Sequence, residues 1–374
     1  MIPFNKPYLT GKELVYIKDA VSSGHISGNG KYTKKCHQFF KNKYGFKNTL
    51  LTTSCTDALE MAAILMNIKE GDEIIMPSYT FVSTANAFVL RGAKIVFADS
   101  LSNNPNINPN QIKELITSKT KAIVVVHYSG LSCDMDAIMQ IANKHKIYVV
   151  EDAAQAIDSY YKGTPLGSIG HLSTFSFHET KNIISGEGGM LVVNDEQLTN
   201  RAEIIWEKGT NRAAFFRGET DKYNWVDIGS SFLPSEVIAA FLYSQLQHME
   251  KIINKRRSLW SKYNKNFNEL YKEGKVKPQN IPQHSSNNGH IFYFLCASSE
   301  ERRQLIKHLK EKEIQAVFHY ISLHSSPFFK KKYKGKKLEN SDFFSDHLVR
   351  LPLYYELANS EQEKIINEIK SFYA

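Results

Sequence analysis

Three short stretches of this chain carry residue types that become chemically useful if they meet. Lys181 closes the apolar, β-prone run His171-Leu-Ser-Thr-Phe-Ser-Phe177 plus a short polar step, and precedes the glycine-rich turn Gly186-Glu187-Gly188-Gly189. A strand fixes the backbone there, and the turn leaves room for a bulky group. That suits an amine that must reach a fixed carbonyl carbon. Asp152 ends a second β-branched run, Ile147-Tyr-Val-Val150, within Glu151-Asp152-Ala-Ala-Gln155. Ser54-Cys55-Thr56 opens a helical pattern running to Met66, where a hydroxyl cap, free N–H groups and the helix dipole attract a phosphate. Taken singly, each has an ordinary use: a surface lysine, a helix N-cap and a capped helix without a ligand. Phosphate cradle, acid and lysine in this chain order, at the ends of separate strands, are the fixtures of an enzyme using pyridoxal 5'-phosphate. The aspartate would keep the pyridine nitrogen protonated. The lysine would bond the aldehyde and then serve as the base. A lysine pKa near 10.4 is too high for that, and burial would lower it.

The elements that position these residues are legible from periodicity. Glu73-Ile-Ile-Met76, Lys94-Ile-Val-Phe97, Ala122-Ile-Val-Val-Val126, Ile147-Tyr-Val-Val150 and Met190-Leu-Val-Val193 read as buried strands. Between them, Asp134–His145 places Met135, Ile138, Met139 and Ala142 on one helical face. The alternation predicts an α/β fold with a mostly parallel sheet wrapped by helices, and a ligand beyond the carboxyl ends of its strands. Residues 1–45 read as an arm with helices and a glycine-rich turn, and 234–267 as one long helical pattern. Strands at 291–295 and 316–319 with a helix near 302–312 predict a smaller α+β unit, reached through the polar loop 279–289. The expected division is a large domain over 1–245, including the arm, and a small one over 246–374.

Composition narrows the class. The chain has 374 residues, 42% of them hydrophobic, enough for a sizeable core, and no run of about 18 apolar residues that would cross a membrane. The N-terminus lacks a charged-then-apolar signal pattern, so the expectation is a cytoplasmic protein. Cys36, Cys55, Cys133 and Cys296 stand far apart with no metal-ligand spacing, so four reduced thiols and no metal are expected. The net charge of +9, thickest at Lys330–Lys337, comes without any nucleic-acid-binding signature. It reads as a solvated surface or as attraction of a small anionic substrate.

Seven segments together resemble one family. They are Thr52-Thr-Ser-Cys-Thr56, Pro77-Ser-Tyr-Thr-Phe81, Gly92-Ala-Lys-Ile-Val-Phe97, Val126-His127 with Asp134-Met-Asp136, Glu151-Asp-Ala-Ala-Gln155, Ser176-Phe-His-Glu-Thr-Lys181-Asn182 and Gly186–Gly189. All are similar to the nucleotide-sugar aminotransferases of the DegT/DnrJ/EryC1/StrS group, over essentially the whole chain. The resemblance implies the aspartate-aminotransferase-like fold (fold type I) and pyridoxal 5'-phosphate as cofactor. It also implies a homodimer with shared active sites. By position, Lys181 matches the lysine that bonds the cofactor, Asp152 the pyridine partner, and Gln155 a neighbour of the ring hydroxyl. Thr56, the Asp57 backbone and Ser176 match phosphate contacts, and Phe81 the aromatic on the ring face. His178 lines the same pocket. One departure stands out: where many members have Gly-x-Asn-x-Arg, this chain has Gly229-Ser-Ser231-Phe-Leu233. Ser231 retains one hydrogen bond for the partner subunit's cofactor phosphate, whereas Leu233 cannot replace the arginine.

For the sugar pocket the resemblance points to His319, Tyr320, His324, Lys208, Asn211 and Arg212. Positive charge suits a diphosphate, and hydroxyl partners suit a sugar. L-glutamate is the implied amino donor, and the implied acceptor is dTDP-4-dehydro-6-deoxyglucose, giving the 4-amino-galactose epimer, a surface-polysaccharide precursor of the enterobacterial common antigen type. Alternatives left open are a 3-amino or GDP/UDP-sugar aminotransferase of the same family, and a non-catalytic regulatory homologue. A dehydratase on this fold would carry histidine in place of Lys181.

Overall fold

The computed structural model describes residues 1–374. Short β-branched runs form the strands. In order they are β1 (Asn48–Thr52), β2 (Glu73–Pro77), β3 (Lys94–Ala98), β4 (Thr120–Val126), β5 (Tyr148–Asp152), β6 (Tyr160–Tyr161), β7 (Thr164–Pro165), β8 (Leu172–Ser176), β9 (Gly189–Val193), β10 (Val276–Pro278), β11 (Phe292–Cys296), β12 (Val317–Phe318) and β13 (Leu348–Leu351). A seven-stranded sheet has the order β1-β9-β8-β5-β4-β2-β3. Only β9 runs against its neighbours; the other pairings are parallel or, through β9, point the same way.

Helices cover both faces of this sheet, so its strands are continuously apolar rather than alternating. Adjacent residues serve opposite faces. Ile123 and Val125 join a core with the helices Lys31–Tyr44, Met135–His145 and Glu236–Gln247. Ala122 and Val124 join another with Cys55–Leu65, Val82–Val89 and Thr199–Trp206. The antiparallel sheet β10-β11-β13-β12 builds a third core with helices Met249–Asn266, Ser299–Glu311 and Asn359–Tyr373. Ile2 belongs to that third core, tied by the Ile2 N–H to the Glu313 carbonyl (2.7 Å) and by the Gln315 N–H to the Ile2 carbonyl (3.0 Å). The chain therefore starts beside its C-terminal sheet.

One local expectation is corrected, and the ordinary alternative for Asp152 falls away. The helical pattern over 234–267 is two helices, broken at His248, whose φ of −106° and ψ of 7° leave the helical region. Asp152 caps no helix, because a turn follows it, with the Ala154 N–H donating to Oδ1 (3.2 Å).

Candidate active site

The carboxyl ends of β1, β2, β4, β5 and β8 open into one cavity of about 670 Å³. Its floor is set by a close approach. A Cβ on Gly189, the first residue of β9, would lie 2.3 Å from the Ser54 carbonyl carbon and 2.4 Å from the Cys55 nitrogen. Glycine there lets the sheet pass directly beneath the start of the Cys55–Leu65 helix. Ser54 caps this helix, its Oγ accepting from the Asp57 N–H (3.0 Å). The amides of Cys55 and Thr56 stand in the first turn, where a helix supplies no upstream acceptor. Hydroxyls crowd the same corner: Thr56 Oγ1 and Ser83 Oγ are 2.8 Å apart, and Ser176 lines the wall.

Asp152 is buried at the end of β5, with Oδ2 accepting from the Thr84 hydroxyl (2.7 Å). Burial pushes its pKa up, against the pull of Thr84, the Ala154 N–H and Lys181. Lys181 lines the same cavity on the turn that follows β8, closed by its own N–H donating to the His178 carbonyl (2.9 Å). Desolvation lowers its pKa, partly offset by Cys55 and Asp152. The amine is thus moved toward the neutral form that nucleophilic attack requires.

Phe81, 54% exposed, stands over the cavity opposite Tyr320, with ring centroids 6.1 Å apart. Gln155 donates from Nε2 to the Tyr320 hydroxyl (3.2 Å) and accepts from the Ser129 N–H (2.6 Å). Tyr320 has φ of +49°, a conformation costing about 1–3 kcal/mol for a bulky residue. It is held there by stacking on His319 (3.5 Å between centroids), and His319 Nδ1 is bonded to the Tyr128 hydroxyl (2.6 Å). Burial drives the His319 pKa well below its ordinary value, so the ring stays neutral. His178 reaches the cavity with Nδ1 bonded to Thr180 Oγ1 (2.9 Å).

Of the residues singled out from sequence, Thr56, Phe81, Asp152, Gln155, Ser176, His178, Lys181, His319 and Tyr320 line this cavity. The others lie elsewhere in the chain's own structure. The Asp57 N–H is occupied by the cap, and its carboxylate accepts from the Thr53 and Ser54 hydroxyls. His324 sits behind the wall, bonded to Ser78 Oγ (2.7 Å). Lys208, Asn211, Arg212 and Ser231 belong to a separate segment in which Ser231 bridges Glu207.

In and behind the cavity wall stand residues that sequence reasoning missed. Asn182, next to Lys181, donates to the Asn288 carbonyl (3.0 Å) and accepts at Oδ1 the contact of His290 Nδ1 (2.9 Å). The Asn288 side chain in turn donates to the Gln155 and Ile157 carbonyls (2.9 and 2.8 Å), so one residue of the polar loop 279–289 holds the Lys181 turn by its backbone carbonyl and the Gln155 turn by its side chain. The Asn287-Asn288-Gly289 turn was the only hint. Arg256 donates to the Gly289 and His290 carbonyls (3.0 and 2.6 Å), and burial lowers its pKa to about 9. Arg350 from β13 and Phe4 from the N-terminus complete the wall.

The donor set fits a phosphorylated pyridine aldehyde. Helix amides and hydroxyls would meet the phosphate, a carboxylate the ring nitrogen, an aromatic the ring face, and a neutral-leaning amine the aldehyde. Comparison with known proteins agrees. Residues 7–370 match the model of the DegT/DnrJ/EryC1/StrS aminotransferase family. GDP-perosamine synthase of Escherichia coli O157:H7 is 32% identical over 381 residues, covering 100% of this chain and 99% of that protein. An aminotransferase from Psychrobacter cryohalolentis superposes with a TM-score of 0.93 at 26% identity, covering 99% of each chain. S. venezuelae DesV, solved in complex with a ketimine intermediate, superposes with a TM-score of 0.91 at 25% identity, covering 99% of this chain and 98% of its own.

Proposed function

Because the chain belongs to the DegT/DnrJ/EryC1/StrS aminotransferase family, and is a pyridoxal-phosphate-dependent sugar aminotransferase of fold type I, we propose that it moves the amino group of L-glutamate to a nucleotide-linked 4-keto sugar. The preferred acceptor is dTDP-4-dehydro-6-deoxyglucose and the product its 4-amino-galactose epimer. The observation that carries the reading is the presence of Lys181 and Asp152 on one cavity with a helix start and its hydroxyls. Residues 1–245 form the cofactor-binding unit in this reading, and 246–374 the smaller unit that closes the site.

When bound, pyridoxal phosphate supplies a carbonyl carbon that takes up the amino group and a conjugated ring that spreads the negative charge left on carbon. Asp152, fixed by Thr84 and the Ala154 N–H, holds a proton on the ring nitrogen. Cys55, Thr56 and Ser176 would hold the phosphate, and Phe81 would cover one face of the ring. Lys181 would carry one proton between the substrate carbon and the carbon bonded to the transferred nitrogen. In the second half-reaction the same amine would return the proton. Donor and acceptor use the same groups in turn.

A second copy of this chain completes the site in our reading. The 207–231 segment that carries Lys208, Asn211, Arg212 and Ser231 also exposes Phe216 (69%) and Trp225 (83%). Apolar rings so exposed mark a contact surface. A partner covering them would carry these polar residues toward the neighbouring cavity, where a diphosphate needs positive charge.

A second acceptor class is favoured by one relative, since GDP-perosamine synthase names a GDP-sugar product. The test is turnover of purified protein with L-glutamate and a panel of dTDP-, GDP- and UDP-linked 4-keto and 3-keto sugars, with products read by mass spectrometry. Turnover confined to the dTDP-4-keto sugar supports the preferred reading, and turnover confined to a GDP-sugar replaces it. A cofactor-loaded protein inert with every donor and acceptor removes the enzyme assignment.

A further inference from the structure

We propose that the loop 326–338 is a docking surface for an anionic lipid membrane, on which the protein lies without crossing it. The stretch Ser326-Pro-Phe-Phe-Lys-Lys-Lys-Tyr-Lys-Gly-Lys-Lys-Leu338 holds six lysines and no acid. The chain's net charge is +9, so these six leave only +3 for everything else. All six are exposed. Lys336 and Lys337 stand 3.9 and 3.8 Å from the carboxylates of Glu114 and Glu339. Lys330, Lys331, Lys332 and Lys334 make no ion pair. Like charges so crowded repel one another, and negative charge from outside relieves the repulsion.

The backbone of this loop is tied to the fold. Leu338 is buried, and Phe329 and Tyr333 pack against the core that carries β3, their ring centroids 5.1 and 6.1 Å from that of Phe97. The N–H groups of Lys330 and Tyr333 close turns on the Ser326 and Phe329 carbonyls (2.8 Å each), and the Tyr333 hydroxyl donates to the Lys336 carbonyl (2.5 Å). The lysine stems therefore leave a fixed backbone, and little chain entropy is lost when they meet a surface. On the outer side Phe328 is 53% exposed, with the Lys332 ammonium 3.7 Å from its ring centroid. From residue 229 to the C-terminus, only Phe318, Ile321 and Phe328 expose a large apolar side chain, and all three come just ahead of the lysines.

Shape decides which anion. A small anionic substrate is gripped from several sides, and none of the six lysines lines the cavity that holds Lys181. A single-stranded nucleic acid stacks its bases on open aromatic faces, and one face of Phe328 is already covered by Lys332. A bilayer of anionic lipids presents an extended layer of negative charge with an apolar layer just beneath it. Long lysine stems reach its phosphates while an exposed ring settles at the headgroup boundary. Charge and apolar exposure are offered together here, as that surface requires.

The experiment sediments the cofactor-loaded protein with vesicles of phosphatidylcholine, alone or with about one-third phosphatidylglycerol, at about 0.1 M and about 0.5 M salt. The wild type is expected on the anionic vesicles at the lower salt, and free at the higher salt or without anionic lipid. Lys330→Gln, Lys331→Gln, Lys332→Gln and Lys334→Gln combined should weaken binding about fivefold per lysine, several hundredfold in all, with turnover and circular dichroism unchanged. Phe328→Ser, with the charge intact, should weaken it about 10-fold. Lys69, Lys119, Lys121 and Lys144 are exposed and lie outside the loop. Changing those four to glutamine together removes the same net charge and should cost no more than about fivefold. Equal losses in the two quadruple variants would reduce the effect to net charge and overturn the proposal. So would a wild type that ignores anionic vesicles, or retention on single-stranded RNA but not on vesicles. A raised KM for the sugar nucleotide in the loop variant, with vesicle binding intact, would overturn it too and assign the lysines to substrate attraction.

Discussion

Glu151→Gln changes one atom next to Asp152 in the chain and should be among the most damaging substitutions in the protein. Glu151 is fully buried. Its Oε1 accepts from the N–H groups of Ile169 (2.8 Å) and Gly170 (2.6 Å) and from the Ser173 hydroxyl (3.2 Å). Its Oε2 accepts from the Gly167 N–H (2.8 Å) and meets His127 Nε2 at 2.9 Å. Burial alone would raise the Glu151 pKa, but the His127 contact and the Gly170 and Gly167 N–H groups outweigh it and hold it below its usual value. The Cys133 N–H points at His127 Nδ1 (3.2 Å), so that nitrogen is an acceptor and the ring proton sits on Nε2, facing Glu151. A glutamine amide must turn its NH₂ toward one side or the other. Toward Oε1 it confronts two backbone donors. Toward Oε2 it confronts Gly167 and the imidazole, which cannot switch tautomer without confronting Cys133. Either way two buried donors lose their acceptor, at about 2 kcal/mol each, for a total near 4 kcal/mol. Urea denaturation followed by circular dichroism near neutral pH measures this. Ser173→Ala, which removes only the longest bond and strands no donor, should cost under about 1 kcal/mol. A loss below about 1 kcal/mol for Glu151→Gln would refute the donor count.

Lys181→Ala should abolish turnover, and borohydride reduction should fix the cofactor's mass on the wild-type peptide carrying Lys181 and leave that peptide unlabelled in the variant. Thr84→Val removes the 2.7 Å hydroxyl donor from buried Asp152. The charged carboxylate loses about 1.5–3 kcal/mol, so the cofactor's dissociation constant should rise about 10-fold or more in a fluorescence titration. His37 accepts the Leu51 N–H at Nε2 (3.1 Å), and burial lowers its pKa to about 4. The unfolded chain therefore takes a proton below about pH 6.5 that the folded one refuses, and stability falls as pH drops from there toward about 4. The wild type should lose up to about 3 kcal/mol more over that window than His37→Gln in parallel denaturation curves. Equal losses in the two proteins would contradict the assignment.

Much of the architecture was readable one segment at a time. Expected strands at 73–76, 94–97, 122–126 and 190–193 correspond to β2, β3, β4 and β9 with ends shifted by at most two residues. Runs of Ile and Val between turns leave little choice about where a buried strand lies. The cap at Ser54 and the strand-end position of Asp152 were legible for the same reason: both are set by neighbours within a few residues. The break at His248 was not, because the apolar pattern continues through it: Leu246 before it and Met249, Ile252 and Ile253 after it share one core, and the helix enters the C-terminal core only from Leu259 on.

Local pattern also told which residue types could bond a cofactor, and in what chain order they come. It could not tell which distant side chains would be brought to them. Asn288 reaches Lys181's neighbour across 106 residues, and Phe4 meets Arg350 from the opposite end of the chain. An arginine in a β-branched strand reads the same whether it faces water or a cavity. Only the packing of the C-terminal sheet against the strand ends partly encloses Arg350 and buries its Nε–H without an acceptor. Secondary structure follows from interactions a few residues apart. The inner wall of this site is made by contacts across the whole length of the chain, whose geometry exists only once the two sheets have closed on each other.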